Sequence, residues 1–268
     1  MGKSGRFLNK ALTVQREGKL KTKLILAHSL FCLLFFLTWE ICHRFEFLSP
    51  TFFGSPVGIV LYLWEGFFVK AFLWKQLGYT LFGTLSSFAI GSTLALCLAL
   101  IFVMNPRLER ATEPYLTIFN AMPRIALAPL FLLWFGLGLG SKIAVGSSLS
   151  FFIVLSSAVA GMRSVSQDHL TLSRTLGASP RQIFFKLTLP TAVPTLFSGL
   201  RLGLIYSMLG VIGSELIAAE HGIGQQLSFL QSMFNMNGVM GLIGLLAAIG
   251  MLLTKSMTSI ERRLLRWQ

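Results

Sequence analysis

The chain has 268 residues, of which 54% are hydrophobic and only 12% charged, with a mean hydropathy of +0.71. A soluble chain is about a quarter charged, so this composition excludes a water-facing globule and a disordered chain alike. A net charge of +13, from 23 Lys+Arg against 10 Asp+Glu, suggests a polyanionic partner until the charges are placed along the chain.

Residues 1–23 form a basic leader with seven Lys/Arg, and an apolar run follows over about 24–42. About 20 apolar residues cross a bilayer. The leader is long for a signal peptide and no A-x-A cleavage site follows, so an uncleaved first membrane helix is expected. Residues 44–76 mix Pro50, Pro56, Glu46, Glu65, Lys70 and Lys75 with many aromatics. They read as an amphipathic connector at the membrane interface.

A second span covers 77–104, free of charge and ended by Asn105-Pro106-Arg107. The third, about 115–139, is interrupted by Pro123 and Pro129, which neighbouring helices can accommodate in a membrane. The fourth occupies about 143–162, the fifth 194–219 and the sixth 239–257. An all-α integral membrane protein of about six spans is therefore expected, with a membrane domain over 24–268.

Residues 163–189, between the fourth and fifth spans, are punctuated by Arg163, Asp168, Arg174, Arg181 and Lys186. Ser179-Pro180 fits an N-cap followed by Pro at the first helical position, and Gly177 marks the end of a preceding helix. Two short amphipathic helices joined by a Gly turn are expected. The residues alone leave open whether this knob is gripped by a partner or lies on the headgroups.

Seventeen of the basic residues fall in the leader, at Arg107 and Arg110, in 163–189 and in the C-terminal segment. Four (Arg44, Lys70, Lys75 and Lys142) fall in the opposite set of loops, and Arg124 and Arg201 lie in or near spans. This positive-inside bias predicts both termini in the cytoplasm. The charge becomes an orientation signal, and no nucleic-acid partner is expected.

Cys32, Cys42 and Cys97 have no paired spacing, and His28, His43, His169 and His221 are scattered. No disulfide framework, metal site or cofactor is expected.

The stretch from Thr171-Leu172-Ser173 through Gly177 to Leu187-Thr188-Leu189-Pro190 resembles the signature loop of inner-membrane permeases of ABC importers. That loop reads Glu-Ala-Ala, three residues, Gly, nine residues, Ile-x-Leu-Pro. The spacing is reproduced, with Leu for Ile, while Thr171-Leu172-Ser173 replaces the opening triplet and its glutamate. Ala121-Met122-Pro123-Arg124 leading to Trp134-Phe135-Gly136, then Ser214-Glu215-Leu216, Gly222-Ile223-Gly224 and the ending over 260–267, are similar to the nitrate/sulfonate/taurine branch.

The resemblance implies the type I ABC importer permease fold, a multi-pass protein of the bacterial inner membrane. It also implies a second permease copy, cytoplasmic ATPase subunits and an extracytoplasmic substrate-binding protein. Coupling to the ATPase would fall on Thr171, Leu172, Ser173, Leu176, Gly177, Ala178, Ser179 and Pro180, and on Leu189 and Pro190 at the loop's end. No Walker-type phosphate loop is present in the sequence, so the chain is expected not to be an enzyme, with ATP hydrolysis on a partner. The branch handles small anions such as sulfonates, nitrate or taurine; relatives within it carry nitrogenous aromatic vitamin precursors.

Candidates for the translocation pathway are Arg124, Arg201 and Glu215. Arg201 lies about 10 Å into the fifth span, facing either a pathway or helix interface or the cytoplasmic headgroups. Glu215 is about 21 Å further along, too far to pair with Arg201, and would serve as an external gate or a capping acid. Arg124, next to Pro123, would satisfy freed carbonyls or line the cavity. An ion-coupled secondary transporter would place acids near the midplane, but the acids assigned to spans are Glu40 and Glu215, both near ends. A membrane-embedded enzyme would need a cluster of catalytic side chains that these residues do not form.

Overall fold

The computed structural model describes the backbone of residues 3–47 and 49–265 and the side chains of 23–24, 26–47, 49 and 52–265. The leader's basic side chains before Lys23, and Arg266 and Trp267 of the C-terminal ending, lie outside the described residues. Every described element is helical. In chain order these are α1 (Lys3–Arg44), α2 (Pro50–Phe53), α3 (Pro56–Trp64), α4 (Phe72–Met104), α5 (Pro106–Ala121) and α6 (Ala128–Phe135). There follow α7 (Leu139–Arg163), α8 (Gln167–Thr175), α9 (Pro180–Ile183), α10 (Leu189–Ile217), α11 (Ile223–Ser232) and α12 (Met236–Leu264).

Helix starts follow local chemistry. Ser55 accepts a hydrogen bond from the Gly58 N–H at 3.0 Å, with Pro56 at the first position of α3. Asn235 caps α12 through the Gly238 N–H at 3.1 Å. Each cap satisfies a backbone donor that the helix leaves orphaned, and Pro56 takes a position where a missing N–H costs nothing.

Five continuous helical segments are long and apolar enough to cross a membrane: Leu26–Arg44, Phe72–Met104, Leu139–Arg163, Pro180–Ile217 and Met236–Leu264. The pair Pro106–Ala121 and Arg124–Phe135, bent by 81°, makes a sixth if it is one broken span. The break falls at Met122-Pro123, where the sequence places a proline. The fifth segment is longer than its apolar part: α9 runs through a π turn (Phe184–Thr188) into α10, and the helix continues past Pro190 and Pro194. Part of the polar insertion is therefore the root of a membrane helix. The connector holds the apolar helical stretch Pro56–Val69, too short to span, which packs with α12.

The centre of the molecule is α4, α7 and α10. Small residues let these backbones approach closely, as in other membrane bundles. A side chain on Gly210 would sit 2.8 Å from the Cα of Gly146, so neither position tolerates a larger residue without separating α7 from α10. One buried cluster unites Ala95, Ala99 and Phe102 of α4 with Val154, Leu155 and Ala158 of α7 and Ala192 of α10. A second joins Leu73 of α4 to Ile223, Leu227 and Leu230 of α11 and Val239 and Leu242 of α12. Large apolar side chains such as Phe31, Phe35, Leu94 and Trp134 point outward, the arrangement expected where lipid replaces water.

Candidate functional site: the 163–189 loop and the charges of the bundle

The 163–189 loop is built by two consecutive end signals. Ser166 caps α8, accepting from the His169 N–H at 3.3 Å. At the other end, the Gly177 N–H donates to the Arg174 carbonyl and the Ala178 N–H to the Ser173 carbonyl, both at 3.0 Å. This is the Schellman pattern, with Gly177 at φ +77° in the left-handed position. Two residues later Ser179 opens α9 in a reciprocal box. Its Oγ accepts from the Gln182 N–H at 3.3 Å, while Gln182 Oε1 accepts from the Ser179 N–H at 2.8 Å.

The result is a tight turn that presents apolar tips outward. Leu176 is 78% exposed and Leu172 57% exposed. Thr171, Gly177, Ser179 and Pro180 are exposed with them, Ser173 and Ala178 are half-buried, and Leu189 and Pro190 are half-buried at the root of α10. A Cβ on Gly177 would meet nothing within 4 Å. The Thr171 hydroxyl donates to the Gln167 carbonyl at 2.9 Å and is engaged with its own helix.

Arg124 opens a 3-10 turn (Arg124–Leu127) just after Pro123. Its Nη2 donates to the Phe119 carbonyl at 3.2 Å and to Asn120 Oδ1 at 2.8 Å, and its guanidinium carbon lies 4.1 Å from the Phe152 ring centre. A carbonyl near the proline break thus gains a donor, and α5 is tied to α7 by a cation–π contact. Arg201 pairs with Glu261 of α12. Composition gave no signal for this pair, because 60 residues separate the partners.

Glu215 is 1% exposed and belongs to a buried network. Its carboxylate accepts from Thr80 Oγ1 at 2.9 Å, from the Gly224 N–H at 2.9 Å and from Lys142 Nζ at 3.1 Å. Lys142 also donates to the His221 carbonyl. Thr80 Oγ1 accepts from the Ile223 N–H at 2.8 Å, and Gln76 Oε1 from the Gly222 N–H at 2.6 Å. The first turn of α11 is thereby docked on an acid of α10, a lysine of α7 and two polar side chains of α4. Lys142, assigned to a loop by charge pattern, is 2% exposed. Its hydrogen bonds and its paired carboxylate make that burial tolerable. Arg124, Arg201 and Glu215 are held by three separate sets of partners.

A family model described as binding-protein-dependent transport system inner membrane component matches residues 87–266, which include the loop and all three of these residues. The chain belongs to this family. It is similar to the formylaminopyrimidine transport permease protein ThiX of Halalkalibacterium halodurans, 31% identical over 240 residues covering 90% of this chain and 95% of the relative. It is also similar to the taurine transport system permease protein TauC of Escherichia coli, 28% identical over 85% of each chain. Among solved structures, the fold matches the inward-facing MetNI methionine ABC transporter with a TM-score of 0.59 at 22% identity, covering 69% of this chain and 92% of that one. Family members are multi-pass inner-membrane permeases of ABC importers, not enzymes, and they work with ATPase and binding-protein partners.

Proposed function

We propose that this chain forms, as a homodimer, the translocation pathway of an ATP-driven importer, with both termini and the 163–189 loop on the cytoplasmic side. Residues 1–23 are a basic cytoplasmic segment, and the permease domain occupies 24–268. A separate ATPase subunit hydrolyses ATP and grips the loop, and a binding protein delivers substrate from outside. The observation that supports this reading is the knob itself, a Gly turn between two capped helices with Leu172 and Leu176 projecting from it.

The knob joins the end of α7 to the root of α10, the two most extensively packed helices of the chain. A displacement of the knob is transmitted to both, and to α4 packed against them. Rigid-body rocking of this unit opens the pathway alternately to each side.

The substrate is a small anion such as a sulfonate, nitrate or a taurine-like compound. A nitrogenous aromatic vitamin precursor is a second reading, favoured by the formylaminopyrimidine permease, which this chain covers over 95% of its length. To test the coupling role, the chain is co-purified with candidate ATPase subunits and uptake is measured for Gly177→Arg. A stable complex whose uptake is abolished by Gly177→Arg supports the reading. No associating ATPase, with uptake intact in the variant, overturns it.

A further inference from the structure

At the end of the molecule opposite the knob, the first turn of α11 lies directly on Glu215. Gly222 sits at φ +123°, and a Cβ there would collide with the Glu215 carboxylate. A Cβ on Gly224 would stand 2.8 Å from the Ile212 carbonyl oxygen of α10. The approach leaves no room for a side chain, and the two glycines of Gly222-Ile223-Gly224 permit it.

The N–H groups that open a helix have no partner within it. Here three in succession find side chains of other helices. Gly222 donates to Gln76 and Ile223 to Thr80, both of α4, and Gly224 donates to Glu215 of α10. A carboxylate at that terminus also meets the positive end of the helix dipole. Lys142 completes the clasp, pairing with Glu215 and donating to the His221 carbonyl, while the Tyr79 ring stacks on His221 with centres 4.7 Å apart.

The two charges of the clasp lie in the first turn of α7 and the last turn of α10. Those are the far ends of the two helices that the knob joins, about 43 Å along α10 from its root. On its apolar side α11 is held differently. Leu227 and Leu230 cluster with Val239 and Leu242 of α12, and such non-directional contacts allow packed helices to slide. The hold on α7 and α10 is made of directional bonds in a buried setting, where breaking one strands a polar group. A third side is open: Gln225, Ser228 and Ser232 line a notch of about 280 Å³ together with the end of α10.

We infer that this clasp is a relay. The first turn of α11 moves with the far ends of α7 and α10 as one body and shears past α12, so a displacement of the knob reshapes the notch at the other end. Lys142 and Glu215 are its positioning residues. The relay rests on the coupling reading above and adds to it the element through which ATP binding is felt on the opposite side of the membrane.

The test uses the importer assembled with its ATPase, with Cys32, Cys42 and Cys97 replaced by serine and Ser228→Cys added. The labelling rate of that cysteine by a small water-soluble thiol reagent is measured with and without ATP. ATP is expected to change the rate about fivefold. In Lys142→Met/Glu215→Gln the response is expected to fall to near parity, while Leu176→Cys, in a parallel chain, still forms its adduct with the ATPase. A response that survives in the double variant overturns the relay. So does an unresponsive Ser228→Cys in an importer whose Leu176→Cys adduct varies with ATP. If the double variant does not accumulate, Thr80→Val, which removes the hydroxyl between Glu215 and the Ile223 N–H, takes its place, with the same loss expected and the same survival overturning the relay.

Hydrogen exchange on the unmodified chain examines the clasp without any partner. The amides of residues 222–224 are expected to exchange as slowly as the buried middle of α10, and exchange as fast as that of the Gly177 turn overturns the clasp. If Leu176→Cys forms no adduct at all, the coupling reading fails and takes the relay with it, whereas the exchange result still decides the clasp.

Discussion

At the scale of single residues, the greatest stake lies in the contact between Lys142 and Glu215. Both are nearly inaccessible; Lys142 is also hydrogen-bonded to the loop before α11, and Glu215 to the first turn of that helix. Removing one member leaves the other buried and unpaired, which costs about 3–5 kcal/mol. Lys142→Met is expected to lower the melting temperature of the purified protein sharply, and adding Glu215→Gln is expected to recover part of the loss. Strictly additive losses in that double-mutant cycle would show that the two groups do not act as a pair. At Gly177 the conflict is of another kind. The turn is open, so alanine meets no neighbour, and only the left-handed backbone opposes it, by about 1–2 kcal/mol. Gly177→Ala is expected to leave the protein in the membrane with local loosening of the loop, read as faster proteolysis there. Gly177→Asn is expected to resemble the parent.

At the scale of elements, α7 and α10 approach through Gly146 and Gly210, and in the proposed coupling the knob between them transmits motion through that contact. Gly210→Leu is expected to wedge the pair apart and reduce ATP-driven uptake while the knob still binds the ATPase. Intact uptake in that variant would show that the two helices need not move together. The elements themselves were largely legible. Hydropathy summed over a span reports burial in lipid directly, so the six apolar segments emerge from composition, and Pro123 marks the break. The Gly177 turn and the Ser179 cap were legible because their partners lie within five residues. What escaped depends on distance along the chain. Lys142 finds Glu215 across 73 residues and Arg201 finds Glu261 across 60, and no local pattern records either.

At the scale of the whole molecule, the outward-facing aromatic and aliphatic side chains, the α4–α7–α10 core and the polar knob describe a body seated in lipid, which the proposed function drives from the knob's end. In the proposed orientation that end lies in the cytoplasm with both termini, as the positive-inside charge pattern predicts. Reporter fusions at Lys255 and at Ala219 are expected to report opposite sides of the membrane, and the same side for both would invert or break the topology. The central claim is that the loop seats in an ATPase subunit, and crosslinking reads it most directly. Leu176→Cys, in a chain whose three native cysteines are replaced by serine, is treated with a short thiol crosslinker in the assembled importer. The account predicts a specific adduct with the ATPase subunit whose yield changes with ATP, and none from Leu137→Cys, which precedes α7 at the opposite end. No adduct from Leu176→Cys in an importer that still transports would contradict it.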